Sequence, residues 1–333
     1  MIKIGVVGVG HLGQHHARKF QEMDNASLAG IYDRDPKRAA QIAEKITAKS
    51  FDSYESLLDA CDAVDIAATT TAHFDLAEKA LKAGKHIFLE KPITSKLEEA
   101  YQLLELSEKK GLKIQVGHIE RFNPVIMKVE SEIKDPLFIE STRISTFHKR
   151  GTDVPVVLDV MIHDIDLILS FINSPLKDIH ASGIGLFTPS IDIANARLEF
   201  ENGAIANVTS SRVSLKLERK IRFFQKDSYI SLDFQTKEAK VIKKSAKIMK
   251  YLPMIMMGAT DVDPEKLVDQ SIYDCSESPK DALSMELSSW IDAIQNDTRP
   301  IVDGHDGTKA LEVAMRIINI IDEQLKKNKH KVR

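Results

Sequence analysis

Apolar positions in the first 117 residues follow two alternating rhythms. Short continuous apolar runs at Ile2–Val7, Ser27–Tyr32, Val64–Ala67, His86–Leu89 and Lys113–Val116 predict buried strands. Between them, Pro36–Ile46, Ala72–Ala83 and Leu97–Lys110 carry apolar residues three and four apart and predict amphipathic helices. "KAGKHIFLE" supplies a helix stop at Gly84 and then the next strand. Regular β-α-β alternation over residues 1–120 predicts a parallel, doubly wound sheet.

Beyond residue 120 the rhythm changes. A helix is predicted over Asn123–Ile133, closed before Pro136. Alternating runs at 137–147, 178–187, 193–200, 204–212, 218–225, 228–234 and 238–243 predict strands, and the Asn-Gly of "ENGA" (201–204) marks a hairpin. The helix Val157–Phe171 interrupts them, and helices at 282–296 and 306–327 close the chain. The predicted class is α/β. Residues 1–120 form a Rossmann domain, and residues 121–333 a domain with a large open, mainly antiparallel sheet for substrate and oligomer contacts. The last helix is free to pack back on the first domain. Residues 245–281 lack a period and predict a long irregular excursion, and the oily "YLPMIMMGA" (251–259) within it reads as core or subunit contact.

Composition narrows the function classes. A chain of 333 residues suits two domains. A net charge of −3 offers no bulk attraction for nucleic acid, and the basic end "KKNKHKVR" reads as a solvated helix terminus. Cys61 and Cys275 lack CxxC or His-spaced partners, so no metal site is expected and a reducing, cytoplasmic compartment is. No apolar run reaches the ~18 residues of a membrane span. The apolar start runs straight into a glycine motif with no cleavage site.

That motif, "GVGHLG", sets Gly8, Gly10 and Gly13 in G-x-G-x-x-G spacing, with His11 and Leu12 between the last two. It follows a strand and opens a helix, the context in which glycines let backbone N–H groups approach a pyrophosphate. Asp33 ends the second strand and suits an adenosine ribose 2′-OH, which favours NAD over NADP, although the adjacent Arg34 could hold an extra phosphate. Glu90-Lys91-Pro92 falls at the carboxyl end of a parallel strand, where open α/β sheets bind ligands.

"LDVMIHDID" (158–166) sets three acids and a histidine in an apolar run. At 100° per residue Asp159, His163 and Asp166 share one face, and Leu158, Ile162, Ile165, Leu169 and Ile172 the opposite one. Asp164 points off that line, towards solvent or a subunit contact. Three readings fit this stripe: a solvated face, a metal site that no further ligand completes, and a proton-handling site.

The glycine loop, Asp33, "EKP" and "DVMIHDID" in a β-rich second half together resemble the Gfo/Idh/MocA oxidoreductases. "GHDGTKALEVA" (304–314) extends the likeness to the last helix. The resemblance implies an NAD-dependent dehydrogenase with Lys91 near the nicotinamide and the reacting hydroxyl, and Glu90 beside it. It implies His163 as acid/base with Asp159 as its support. Thr70 and His73 would lie in the loop bordering the cofactor, where Thr69 departs from the proline of many members. Within the family, "GHIERFNP" (117–124) and "HKRGTDVPVVLDVMIHDID" (148–166) are most similar to nucleotide-sugar 3-dehydrogenases. That likeness implies a UDP-linked amino sugar, UDP-N-acetylglucosamine, oxidised to a 3-keto sugar that an aminotransferase then aminates on the way to lipid A. It also implies a homodimer or homotetramer.

Such chemistry is consistent with the residues. Histidine titrates near neutral pH and suits a general base. A lysine ammonium would stabilise developing alkoxide. Arg121, Lys149 and Arg150 are candidates for a diphosphate, and Asn123 for a sugar hydroxyl. Two other readings are a dehydrogenase of a free polyol such as inositol, and a non-catalytic dinucleotide sensor.

Overall fold

Five short apolar runs pair into one parallel sheet. They are β1 (Ile2–Val7), β2 (Ala26–Tyr32), β3 (Ala63–Ile66), β4 (His86–Glu90) and β5 (Ile114–Gly117), in the order β2-β1-β3-β4-β5. The computed structural model describes residues 1–147, 154–245, 257, 267–278 and 280–331, with side chains of the last helix as far as Lys327. Crossovers run through α1 (Gly13–Glu22), α2 (Pro36–Ile46), α3 (Tyr54–Ala60), α4 (His73–Lys82) and α5 (Leu97–Lys110). Ile4, Val6, Val64, Ile66, Ile87 and Leu89 are fully buried, as expected of strands covered on both faces. Asp35 caps α2 by accepting from the N–H groups of Lys37 and Arg38, with Pro36 in the first turn. The short α3 escaped the sequence reading. Ser53 caps it, and its Leu57 side chain fills the space left by Gly5.

The described residues fall into two compact units. One holds Met1–Phe122 together with Lys280–Val313, and the other begins at Asn123 and resumes at Ala314. A boundary at residue 120 therefore needs correction, because 280–313 cluster with the Rossmann unit. The cause is α8 (Ala282–Gln295), whose Leu287, Trp290 and Ile291 are fully buried in the core with Phe20 and Phe88. The Trp290 ring meets Phe88 edge-on at 5.7 Å and Phe20 at 6.2 Å. Gln115 of β5 donates to the Glu286 carbonyl at 2.9 Å. Truncating so large a buried ring to alanine costs about 3–5 kcal/mol.

The second unit is built on eight strands: β6 (Phe138–Thr146), β7 (Leu176–Ile184), β8 (Ile193–Phe200), β9 (Ile205–Ser214), β10 (Glu218–Phe224), β11 (Ser228–Asp233), β12 (Glu238–Lys244) and β13 (Val268–Asp274). Their order is β13-β12-β11-β10-β6-β9-β8-β7, antiparallel throughout except for the parallel pair β6–β9. One face buries Ala196, Leu198, Val208, Ile221 and Phe223, and the other carries Arg197, Asn207, Thr209, Lys220 and Arg222. Helices α6 (Pro124–Val129) and α7 (Ile162–Phe171) belong to this unit, and Phe171 of α7 packs on Phe223 at 5.2 Å. The last helix, α9 (Gly304–Lys331), divides between the units at Val313. Strand β13 corrects the irregular excursion predicted for 245–281. Of 251–259 only Met257 is described; it is 79% exposed, and the remainder lies outside the described residues.

Candidate active site

The glycine loop opens where β1 ends. Gly8 has φ +84°, and a Cβ there would stand 2.7 Å from the Ala68 backbone. At Gly13 a Cβ would come 2.0 Å from the Gly8 carbonyl oxygen, so only glycine lets α1 start this close to the strand. A Cβ on Gly10 would meet nothing within 4 Å, which leaves open space over the loop. His11 and Leu12 are exposed at its rim. Buried Asp33 accepts the Val9 N–H at 3.0 Å and the Asp35 N–H at 2.9 Å, tying the loop to the end of β2. A carboxylate has about four lone-pair sites, so capacity remains for a ribose hydroxyl. This cradle, open at Gly10 and closed by an acid, fits an adenine dinucleotide. Arg34 is exposed. The guanidinium beside Asp33 is instead that of Arg38, 3.7 Å away, one turn into α2.

The turns after β3 and β4 are laced together by histidines. Thr69 is exposed and Thr70 half-buried, its carbonyl accepting from Ser95 at 3.3 Å. His73 is buried, with Nδ1 2.9 Å from the Pro92 carbonyl and Nε2 3.2 Å from that of Ala68. It braces the two turns; burial lowers its pKa against the pull of those carbonyls. The Lys91–Pro92 peptide is cis, and Lys91 itself is half-buried. Glu90 accepts the Lys91 N–H at 3.2 Å and approaches His16 Nε2 at 3.3 Å. His16 Nδ1 lies 2.8 Å from Asp65 of β3. Burial alone would lower the His16 pKa, but the two carboxylates outweigh it and hold the ring well above its usual value. Burial pushes Asp65 up, whereas His16 outweighs burial in Glu90 and holds that carboxyl down. Of the two adjacent histidines on α1, the structure exposes His15 and buries His16. An acid inside the apolar "AVDI" was the available signal.

In the second unit, Val157–Met161 forms a π turn that leads into α7. Such turns recur at functional sites. The wider turn takes Asp159 to His163 just short of a full rotation, where a straight α-helix would carry them just past it. Both are half-buried, as is Leu158, so that leucine is not a core anchor. Met161, Ile162, Ile165, Leu167 and Ile168 are fully buried. Asp166 is 1% exposed. Asp164 requires a correction: it faces neither solvent nor a subunit but is buried against Arg143 of β6. Arg143 Nε donates to both carboxylate oxygens at 3.1 and 3.0 Å, and Nη2 to Oδ1 at 2.7 Å.

Arg121 is half-buried in a 3-10 turn of the first unit and pulls down on the Asp306 carboxyl, which burial raises. Asn123 caps α6 by accepting the Val125 N–H at 3.1 Å. Lys149 and Arg150 lie outside the described residues. Among the described residues no helix is long and apolar enough to cross a membrane.

Comparison with known proteins follows the same division. Residues 2–118 match the model of the oxidoreductase family with the NAD-binding Rossmann fold, and residues 126–226 match the GFO/IDH/MocA C-terminal domain. UDP-N-acetylglucosamine 3-dehydrogenase of Acidithiobacillus ferrooxidans is 32% identical over 95% of this chain and 96% of its own. A solved structure of that enzyme superposes with TM-score 0.87 over 97% of this chain and 98% of its own, also at 32% identity. Myo-inositol 2-dehydrogenase of Thermotoga maritima is 25% identical over 93% of each chain. The chain belongs to the Gfo/Idh/MocA family and is an oxidoreductase that uses NAD.

Proposed function

We propose that the protein oxidises the 3-hydroxyl of UDP-N-acetylglucosamine to the 3-keto sugar. The observation that carries this reading is the end-to-end similarity, in sequence and in fold, to a 3-dehydrogenase of that sugar. When bound, NAD accepts the hydride from the sugar carbon. In this reading the His163 imidazole takes the hydroxyl proton, and Asp159 orients the ring and stabilises the imidazolium. The Lys91 ammonium stabilises the alkoxide that develops as the proton leaves. Asp33 takes the ribose hydroxyls and the Gly8–Gly13 loop the pyrophosphate. Glu90, Thr69, Thr70 and His73 shape the turns beside it. Arg121, Lys149 and Arg150 supply cations for the UDP diphosphate, and Asn123 a donor for the sugar.

The polar face of the second sheet, with Glu140, Asn207, Lys220 and Arg222, is the surface through which we expect a homodimer or homotetramer. The 3-keto product is a carbonyl ready for amination, so a sugar aminotransferase is the expected consumer.

Incubating the protein with NAD and a panel of UDP sugars and free polyols, while following NADH absorbance and product mass, tests the reading. UDP-N-acetylglucosamine should give NADH and a product two mass units lighter. Turnover of inositol alone would replace this assignment with a polyol dehydrogenase. Binding of NADH with no turnover on any substrate would favour a sensor. His163→Ala should abolish turnover and leave NADH binding intact; near-normal rates would remove His163 as the base.

A further inference from the structure

We propose that His16 is a positioning residue of the hydride-transfer site, an imidazolium clamped between Asp65 and Glu90 that fixes the turn carrying Lys91. The inference rests on Lys91 acting as the alkoxide's electrostatic partner, as argued above. His16 lies on α1, three residues beyond the last loop glycine, and is 1% exposed. Its two ring nitrogens face two different carboxylates, Asp65 Oδ2 at 2.8 Å and Glu90 Oε1 at 3.3 Å. A neutral imidazole has one N–H and could serve only one of them; the other nitrogen would then set lone pair against lone pair. With both carboxylates ionised, the geometry requires both protons. Asp65 depends on this arrangement, because its second oxygen, Oδ1, is buried with no hydrogen-bond partner among the described residues. Phe88 packs edge-on against the ring at 5.7 Å and keeps water from it.

The clamp acts on Glu90. That carboxylate sits between His16, the Lys91 N–H and the backbone of Gly117, where even a Cβ would come within 3.1 Å of it. Held by His16, it in turn holds the Lys91 peptide through that N–H. The Glu90 carboxyl is held down chiefly by His16 and then by Lys91. Without His16 the strongest demand from this buried carboxylate would fall on the Lys91 ammonium, the group needed by the substrate. One buried histidine thus settles the charge of two acids.

Two measurements on the full-length protein test this. In the parent protein, NMR of labelled histidine should show one imidazole that stays doubly protonated well above the pH at which an exposed histidine loses its proton, and it should vanish in His16→Gln. A His16 signal that titrates like an exposed histidine would overturn the proposal whether or not any variant folds. With UDP-N-acetylglucosamine as substrate, His16→Gln and Glu90→Gln should each lower kcat about tenfold or more while NADH binding stays within about threefold. The double variant should be no slower than the worse single one, because the two residues work as a unit. NADH binding is read by energy transfer from Trp290, the sole tryptophan. A kcat within about twofold of the parent in a folded His16→Gln would reduce the histidine to scaffold. Failure of the underlying reading has a different signature. Lys91→Ala would then keep its rate, or the parent would not turn over this sugar, while the NMR result stood.

Discussion

Replacing Arg143 with methionine breaks the ion pair between β6 and α7. The side chains of Arg143 and Asp164 are 6% and 1% exposed, so the variant strands a carboxylate that water cannot reach. Methionine keeps the apolar stem, including its contact with Phe234, whose ring centre lies 5.8 Å from the guanidinium carbon. What is lost is the guanidinium and the three hydrogen bonds it gives Asp164. Breaking one side of such a pair costs about 3–5 kcal/mol. At about 2–4 °C per kcal/mol for a unit of this size, the second unit's transition should fall by about 6–20 °C. The double variant Arg143→Met with Asp164→Leu removes both charges, and should recover most of that loss. Thermal unfolding followed by circular dichroism reads both, and NADH binding checks that the first unit is intact. The activity of Arg143→Met should also fall at temperatures where it stays folded, because Asp164 directly follows His163 in the chain. A shift below about 2 °C in the single variant, or a double variant worse than the single, would refute the reasoning.

Two further outcomes are expected. Gly13→Ala should weaken NADH binding about a hundredfold or more, since its Cβ would lie 2.0 Å from the Gly8 carbonyl and the loop must move to admit it; fluorescence titration giving affinity within about threefold of the parent would show the loop to be more tolerant. The stability that His16 supplies should depend on pH with a definite sign. Its pKa is raised in the folded chain above the usual 6.5, so the contribution is complete below 6.5 and is lost as pH rises through the folded value. The gap in melting temperature between the parent and His16→Leu should therefore be widest near pH 6 and narrow towards alkaline pH, and a gap constant with pH would contradict it.

Elements whose side chains alone decide their fate were readable in advance. β1, α2, α5 and β8 begin and end at the expected residues, because each carries its own burial period or caps. β13 was not readable. Its "VDQSIYD" is exposed at nearly every position, and it is a strand only because its backbone pairs with β12. α3 is seven residues long, too short to establish a period. The parallel pairing of β6 with β9 belongs to topology, which local pattern does not encode. The glycine loop was legible because its chemistry is local. Asp164 was misread because its fate depends on Arg143, 21 residues earlier, and on a π turn that a uniform helical wheel omits. The His16 clamp joins residues 49 and 74 positions apart, read as 16 with 65 and 16 with 90, and no spacing rule finds such a set.

The placement of α8 bears on how the chain is made. As the ribosome extends the first 122 residues, the sheet and its early helices can form, but the slot for Leu287, Trp290 and Ile291 stays open. It fills only after residues 123–279, the bulk of the second unit, have emerged. Most of the second unit is therefore made while its host is unfinished, and residues 314–333 complete it last. A protein stopped at residue 122 should expose the apolar surfaces of Phe20 and Phe88 and aggregate. Joining residue 122 to residue 280 through a short linker is the way to obtain the dinucleotide-binding half by itself.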